Sequence, residues 1–455
     1  MRYRQRMQIS ERSLLQISLI FFRFTVDRAK NRVSWHCIFF SCAILAACGA
    51  RAENEPLNVQ GLNGKWSLPD VINAVESNNS LIKKAASKID EMGDSTTLAK
   101  SAYFPSLFLQ STGSNSLSNQ FILQQKIYDG GASIAAIEIS KNHQKMAEFD
   151  KAVQAEKLRI QTIEAYYNAL FARHRRAYYE ESYGLIAQAL ETAERQFKYR
   201  SISKDALLRG KVEFRKIRAS SFDAKNAETE AVRALSHLTH RADFSIDWLE
   251  DRFNLNEIPP PYESGAAHDI ERNFEASPVS QYLRASEVAL NAEKNLELSI
   301  DRPNLSFIAS LGLGQAPSIS VNYVYEAGLQ AGLSLTIPLF SGFSSFARKR
   351  IYGEKDMQIQ QELKNTHDDF NFEFAEKAAL LNQDRQDLQL IRKELQSSQE
   401  TWKEADANYR VGLSSPEVWF ESLASVQQWK MRQMEKTRDY WITLEYLNRI
   451  AKQNL

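Results

Sequence analysis

Residues 329–342 read LQAGLSLTIPLFSG, and Leu329, Ala331, Leu333, Leu335 and Ile337 alternate with Gln330, Gly332, Ser334 and Thr336. That is the period of a β-strand with one apolar face. Pro338 and Gly342 end the pattern, and residues 344–410 are then charged, alanine-rich and free of proline. Proline is excluded from helix interiors, so this second stretch reads as one very long helix. A strand that passes through a glycine into such a helix decides the fold.

Working outward, the same wording recurs 212 positions earlier. Leu123 pairs with Leu335, Tyr128 with Phe340, Gly130 with Gly342, Ser133 with Ser345, Glu164 with Glu376, Ala193 with Ala405, Phe197 with Tyr409, Ser203 with Ser415 and Asp205 with Glu417. The coincidence of glycine, cap and acid positions reads as an internal duplication. The first long helix then covers roughly 134–200 and the second 344–410. Each is several times longer than a small domain is wide, too long for one compact core. Val153, Ile160 and Tyr167 in the first, and Leu381, Leu388, Leu395 and Trp402 in the second, recur at the seven-residue spacing of coiled-coil packing. Ser203 and Ser415 suit N-caps, Pro416 suits the first helical position, and Asp205 and Glu417 place a negative charge at a helix N-terminus. Two long helical hairpins follow, with returning arms ending near His240 and Asn448.

Strand periodicity precedes each long helix. The expected strands are about 105–113 and 119–128 in the first half, and about 303–314 and 327–338 in the second, where Leu305, Phe307, Ala309, Leu311 and Leu313 face away from Ser306, Ser310 and Gly312. Such lengths approach the ~9–11 residues of a tilted transbilayer strand. Four strands are too few to close a barrel. The sheet must therefore recruit other copies, unless it is a small soluble sheet packed on the helices. Shorter helices are expected over Leu68–Ala102 and Ser277–Ile300. Pro259-Pro260-Pro261 marks an irregular link.

The organisation expected is a leader, 1–47; a tether, 48–66; a first repeat, 67–240; a linker, 241–272; a second repeat, 273–450; and a tail, 451–455. The apolar block VSWHCIFFSCAILAA at 33–47, preceded by Arg28, Lys30 and Arg32, has signal-peptide length and falls short of a spanning helix. Two processing readings stay open: lipidation at Cys48 in the lipobox-like Leu45-Ala46-Ala47-Cys48, or cleavage after Ala52. All three cysteines, Cys37, Cys42 and Cys48, lie there, so the remaining chain has no thiol chemistry. The leader carries eight Lys/Arg against two Asp/Glu; of the total charge of +1 this leaves about −5 for the rest, the wrong sign for a nucleic-acid binder.

Chemistry-bearing constellations are missing from the sequence. No GxxxxGK[ST] loop occurs, His237 and His240 lack a third ligand signal, and no nucleophile–base pairing stands out. Neither an enzyme nor a cofactor or metal site is expected.

The chain resembles the TolC family of bacterial outer-membrane channel proteins over nearly everything after residue 60. The resemblance rests on Ser67-Leu68-Pro69 with Ala74 and Asn78-Asn79; Tyr103-Phe104-Pro105-Ser106-Leu107; Gln125-Lys126-Ile127-Tyr128-Asp129-Gly130-Gly131; Ala165-Tyr166-Tyr167; Ile337-Pro338-Leu339-Phe340-Ser341-Gly342; and Tyr409-Arg410-Val411-Gly412 with Ser415-Pro416-Glu417-Val418. It implies a mostly α, internally duplicated fold. Three protomers would each give four strands to one twelve-stranded barrel in the outer membrane, with an α-hairpin barrel continuing into the periplasm. It also implies a periplasmic adaptor and an inner-membrane pump of RND or ABC type, and a duct serving efflux or type I secretion. A soluble periplasmic coiled-coil scaffold is the competing reading from the residues alone.

The resemblance further implies that the turns Phe197–Ala206 and Tyr409–Val418 dock the adaptor. Its candidate residues are Phe197, Tyr199, Arg200, Ser203, Asp205, Tyr409, Arg410, Gly412 and Ser415. Glu417 matches a lumen-facing acidic position; the next such position is Phe420, with Glu421 beside it as a second gate candidate. Glu417 equally suits its own helix N-terminus, so both readings stand. Arg200 opposite Gly412 marks a departure in the first turn, whose run Tyr199–Ser203 reads as shortened. Gly130, Gly131 and Gly342 are expected hinges between strand and helix.

Overall fold

The computed structural model describes residues 16–23, 36–43, 65–113, 117–251, 253, 255, 270–316 and 324–452. Two units divide the chain, 1–58 and 59–455. In the first, β1 (Gln16–Arg23) and β2 (His36–Ala43) form an antiparallel pair. Cys48 and the cleavage site after Ala52 lie outside the described residues.

The second unit opens with α1 (Leu68–Asn78) and α2 (Ser80–Lys100), where the sequence suggested one helix over Leu68–Ala102. Asn79 is the reason. Its backbone is extended, at φ −66° and ψ 131°, and its side chain accepts the Leu81 N–H at 2.8 Å, capping the second helix after ending the first. Strands β3 (Ser106–Gly113) and β4 (Leu117–Tyr128) follow, then α3 (Ala132–Lys198) and α4 (Lys204–Thr239). The second half repeats the order with α5 (Ile270–Ala276), α6 (Pro278–Ser299), β5 (Asn304–Ala316), β6 (Val324–Thr336), α7 (Ser344–Arg410) and α8 (Pro416–Lys452).

The boundaries carry the duplication. Both α3 and α7 have 67 residues, about 100 Å each, and start 212 positions apart, as do α4 and α8. Further upstream the spacing differs: α2 and α6 start at 80 and 278, and β3 and β5 at 106 and 304, an offset of 198. The difference, 14 residues, lies in the β5–β6 hairpin, whose strands are 13 residues each against 8 and 12 in the first.

Packing within each hairpin follows the coiled-coil prediction. Leu381, Leu388 and Leu395 of α7 are buried at seven-residue intervals. On α8 the seam runs through Trp419, Leu423, Val426, Gln433, Thr437, Tyr440 and Leu447, alternating steps of three and four once Lys430 and Leu444 are included. A separate core at mid-length gathers Val71, Val75, Ile163, Tyr166, Tyr167, Leu170 and Leu235. Part of the link between halves closes it. Leu249 is fully buried there, and Trp66 bridges Leu249 in parallel, with Glu250 N–H donating to the Trp66 carbonyl at 2.9 Å.

Candidate functional site

One end of the unit is the four-stranded antiparallel sheet β3-β4-β5-β6. Its register sorts the side chains by face. Leu109, Phe121, Leu311 and Leu329 stand in one cross-strand row, and Leu107, Leu123, Ala309 and Ala331 in the next. The alternate rows, on the opposite face, hold Gln120 with Gly312 and Gly328, and Gln110 beside Gln120. Apolar residues of the first face are bare: Leu329 is 75% exposed, Leu333 67% and Leu335 62%. A bulge between Lys126 and Tyr128 brings Tyr128, rather than Ile127, opposite Leu305. Among the described residues β3 and β6 are each paired on one side only, which leaves two open edges.

The sheet joins the long helices through the expected glycines. Gly130, Gly131 and Gly342 have φ of 68°, 91° and 64°, a region that favours glycine. They are not equivalent. A Cβ on Gly130 would stand 2.7 Å from the Arg302 Cβ and 2.8 Å from the Ser299 carbonyl, whereas nothing lies within 4 Å of one on Gly342. In the second junction Phe343 takes the left-handed position, φ 62°, that Gly131 holds in the first. Asp129 fastens the first junction by accepting from the Ser133 N–H at 2.9 Å and from its hydroxyl. Asp301 and Arg302 serve both: Arg302 Nη1 donates to the Gly130 carbonyl at 2.8 Å, and Arg348 Nη1 of α7 donates to Asp301 Oδ2 at 2.9 Å. Sequence reasoning missed this clamp, since its partners are 172 and 47 residues apart.

The other end is the pair of turns. Tyr199–Ser203 and Val411–Ser415 have equal length, so the first is not shortened as the sequence suggested. They also share a conformation. Arg200 at φ 59° and Gly412 at φ 79° occupy the same place, and each turn closes with one bond to the carbonyl three back, Arg200 to Phe197 and Gly412 to Tyr409, and a second from the next residue, Ser201 to Gln196 and Leu413 to Asn408. The arginine is accommodated because its side chain is exposed. Ser203 caps α4 as expected, accepting the Ala206 N–H at 3.1 Å. Tyr199, Val411 and Leu413 project into solvent.

Glu417 and Asp205 are brought together through a residue the sequence reading did not single out. Arg209 Nε lies 2.9 Å from Asp205 Oδ2 and 3.5 Å from Glu417 Oε1. Hydrogen bonding to Asp205, then the charges of Asp205 and Glu417, hold this exposed guanidinium above its ordinary range. The i,i+4 spacing of Asp205 and Arg209 was the available signal. Phe420 turns inward: it is buried, and its ring fills the space over Gly210 of α4. Glu421 stays exposed and lines a groove between α4 and α8 with Glu417, Asp205 and Arg209. Tyr409 is buried with Trp419, whose Nε1 donates to Asp406 at 2.9 Å, and Arg410 is held by Asp406 at 2.8 Å. Tyr409 and Arg410 thus brace the turn as well as flanking it. His240 is the left-handed C-cap of α4, at φ 52°.

Set beside solved structures, this arrangement has close counterparts. The Campylobacter jejuni CmeC outer-membrane channel superposes with a TM-score of 0.73 at 16% identity, over 85% of this chain and 86% of that one. CusC, a transmembrane channel, gives 0.71 at 15% identity, over 84% and 91%. The open state of the Neisseria gonorrhoeae MtrE outer-membrane channel gives 0.67 at 14% identity, over 84% and 88%.

The chain has the TolC fold.

By sequence, no family model and no curated protein matches it. The TolC fold is therefore carried by pattern and geometry at an identity too low for whole-chain sequence comparison. Among the described residues no helix is long and apolar enough to cross a membrane, so in this TolC fold the bare apolar surface of transbilayer height belongs to the strands.

Proposed function

We propose that three copies of this chain join edge to edge into a twelve-stranded barrel in the outer membrane, continued into the periplasm by a tunnel of the long helices. The assembly is the passive exit duct of a tripartite efflux or type I secretion system. One observation carries the reading: a four-stranded sheet with two open edges and a bare leucine face rises from helices about 100 Å long. Edge pairing between copies satisfies the open ladders, lipid covers the leucine face, and the glycine and glutamine face lines water. The neighbours with the same fold, named as outer-membrane channels, support it.

On this reading the turns around Tyr199 and Leu413 meet a periplasmic adaptor, which links the duct to an inner-membrane RND or ABC pump. Glu417, in triplicate near the axis, gives the entrance a preference for cations, tempered by Arg209. Lipidation of Cys48 adds a membrane tether at the N-terminus.

The test is purification from the outer-membrane fraction. Detergent-solubilised protein of trimer mass that gives step-like conductance in planar bilayers supports the duct. A monomer that stays soluble without detergent overturns it in favour of a coiled-coil scaffold.

A further inference from the structure

Helix α4 carries a second coiled-coil face that no element of the chain covers. Its first face, through Leu207, Gly210, Ile217, Ala224 and Leu235, is buried in the hairpin. Turned away from that seam, Leu208, Val212 and Phe222 are 50%, 48% and 64% exposed. With Arg215, Ala219 and Asn226 they complete a line whose steps alternate four and three, the spacing of helix-to-helix contact positions. Beside this line stand Lys204, Lys211, Arg218 and Lys225, one every seven residues. Lys211 reaches Glu194 at 3.1 Å; Lys204, Arg218 and Lys225 have no ion pair among the described residues.

The duplicated arm shows that this face is particular to α4. The counterparts of Lys211, Arg218 and Lys225 on α8 are Leu423, Lys430 and Thr437, all on the buried seam of that hairpin. Burial pushes Lys430 down from the ordinary lysine range. The same line that is core in one hairpin is thus an exposed basic ridge in the other.

We propose that this face of α4 docks a helix of a partner protein bearing apolar contact residues flanked by carboxylates at seven-residue spacing. Charge at the flanking positions of a coiled coil selects the partner and its register, and a row of cations selects anions. The ridge runs about 32 Å from the turn end of α4, continuous with exposed Tyr199, and that continuity favours an incoming partner over a second copy. The inference rests on the duct reading, in which this end meets the adaptor.

The experiment uses the full-length protein in detergent and a synthetic helical-hairpin peptide with leucine at the contact positions and glutamate at the flanking ones. A second peptide replaces the glutamates with glutamine. Four exposed ion pairs should favour the acidic peptide by roughly ten-fold, an advantage that fades at high salt. The combined variant K204Q/K211Q/R218Q/K225Q should erase that advantage while trimer mass and single-channel conductance stay as they were. In F222S, both peptides should bind more weakly.

Equal binding of the two peptides, or an unaltered preference in the fourfold variant, overturns the proposal and leaves the duct reading intact. So does capture of phosphatidylglycerol vesicles in place of the peptide, which would make the ridge a lipid contact. Dissociation of the fourfold variant into monomers would make it a seam between copies. A wild-type protein that is monomeric in detergent instead overturns the duct reading itself.

Discussion

At the scale of single residues, the two strand-to-helix junctions should respond unequally to the same change. Gly130→Val meets both a left-handed backbone and the Arg302 Cβ at 2.7 Å, so the heat-resistant trimer should be lost on a denaturing gel. Gly342→Val meets backbone strain alone, about 1–3 kcal/mol, and should lower trimer level more than conductance per channel. Arg200→Gly removes a side chain from a left-handed position and should stabilise the first turn by up to about 1 kcal/mol, seen as slower amide exchange at Ser201. At the entrance, Glu417→Ala should lower cation preference or raise cation conductance. Arg209→Ala, by freeing Glu417 and Asp205 of their shared cation, should raise cation preference in single-channel reversal potentials. Unchanged selectivity in both variants would remove the pair from the conduction path. Gly130, Gly131 and Gly342 were legible in the sequence because a positive φ selects glycine. Arg200 and Phe343 were not, since they hold the same conformation with ordinary side chains.

At the scale of elements, the α7–α8 hairpin is pinned by a buried charge. The Asp384 side chain is 1% exposed and meets Lys436 Nζ at 2.6 Å. Burial raises the Asp384 carboxyl above its ordinary value despite the hydrogen bond from Lys436, and that same bond raises the lysine. Lys436→Met should cost about 3–5 kcal/mol by stranding the carboxylate, and Asp384→Leu with Lys436→Met should recover most of it in denaturant unfolding. The pH sign follows from proton binding. A carboxyl whose folded pKa exceeds its unfolded one binds more protons when folded, so stability falls as pH rises between the two values. The Lys436→Met variant should therefore gain stability when acidified from neutrality towards the ordinary carboxylate range. The long helices were legible because Leu381, Leu388 and Leu395 keep one period over many turns. The break at Asn79 was not read, because an asparagine inside helical periodicity gives little warning of capping. Nor was the ion pair, as nothing in the spacing of Asp384 and Lys436 brings them together before the hairpin is folded.

At the scale of the whole molecule, the proposed assembly predicts that blocking one open edge is enough to prevent closure. A proline placed at Leu109 of β3 or Leu333 of β6 should abolish the trimer while leaving the helical circular-dichroism signal nearly unchanged. A trimer that survived both changes would refute pairing between those strands. Legibility at this scale had a physical limit: the sequence states that four strands are too few, whereas how copies complete them depends on surfaces that no single chain buries. The unequal hairpins carry a last consequence. With 14 residues more than its counterpart, β5–β6 would stand taller at the distal lip of each copy, so the ring would wear a three-pointed crown instead of six even crests. Antibodies or phage approaching a living cell would then meet almost entirely second-half residues, leaving the shorter hairpin sheltered from that selection.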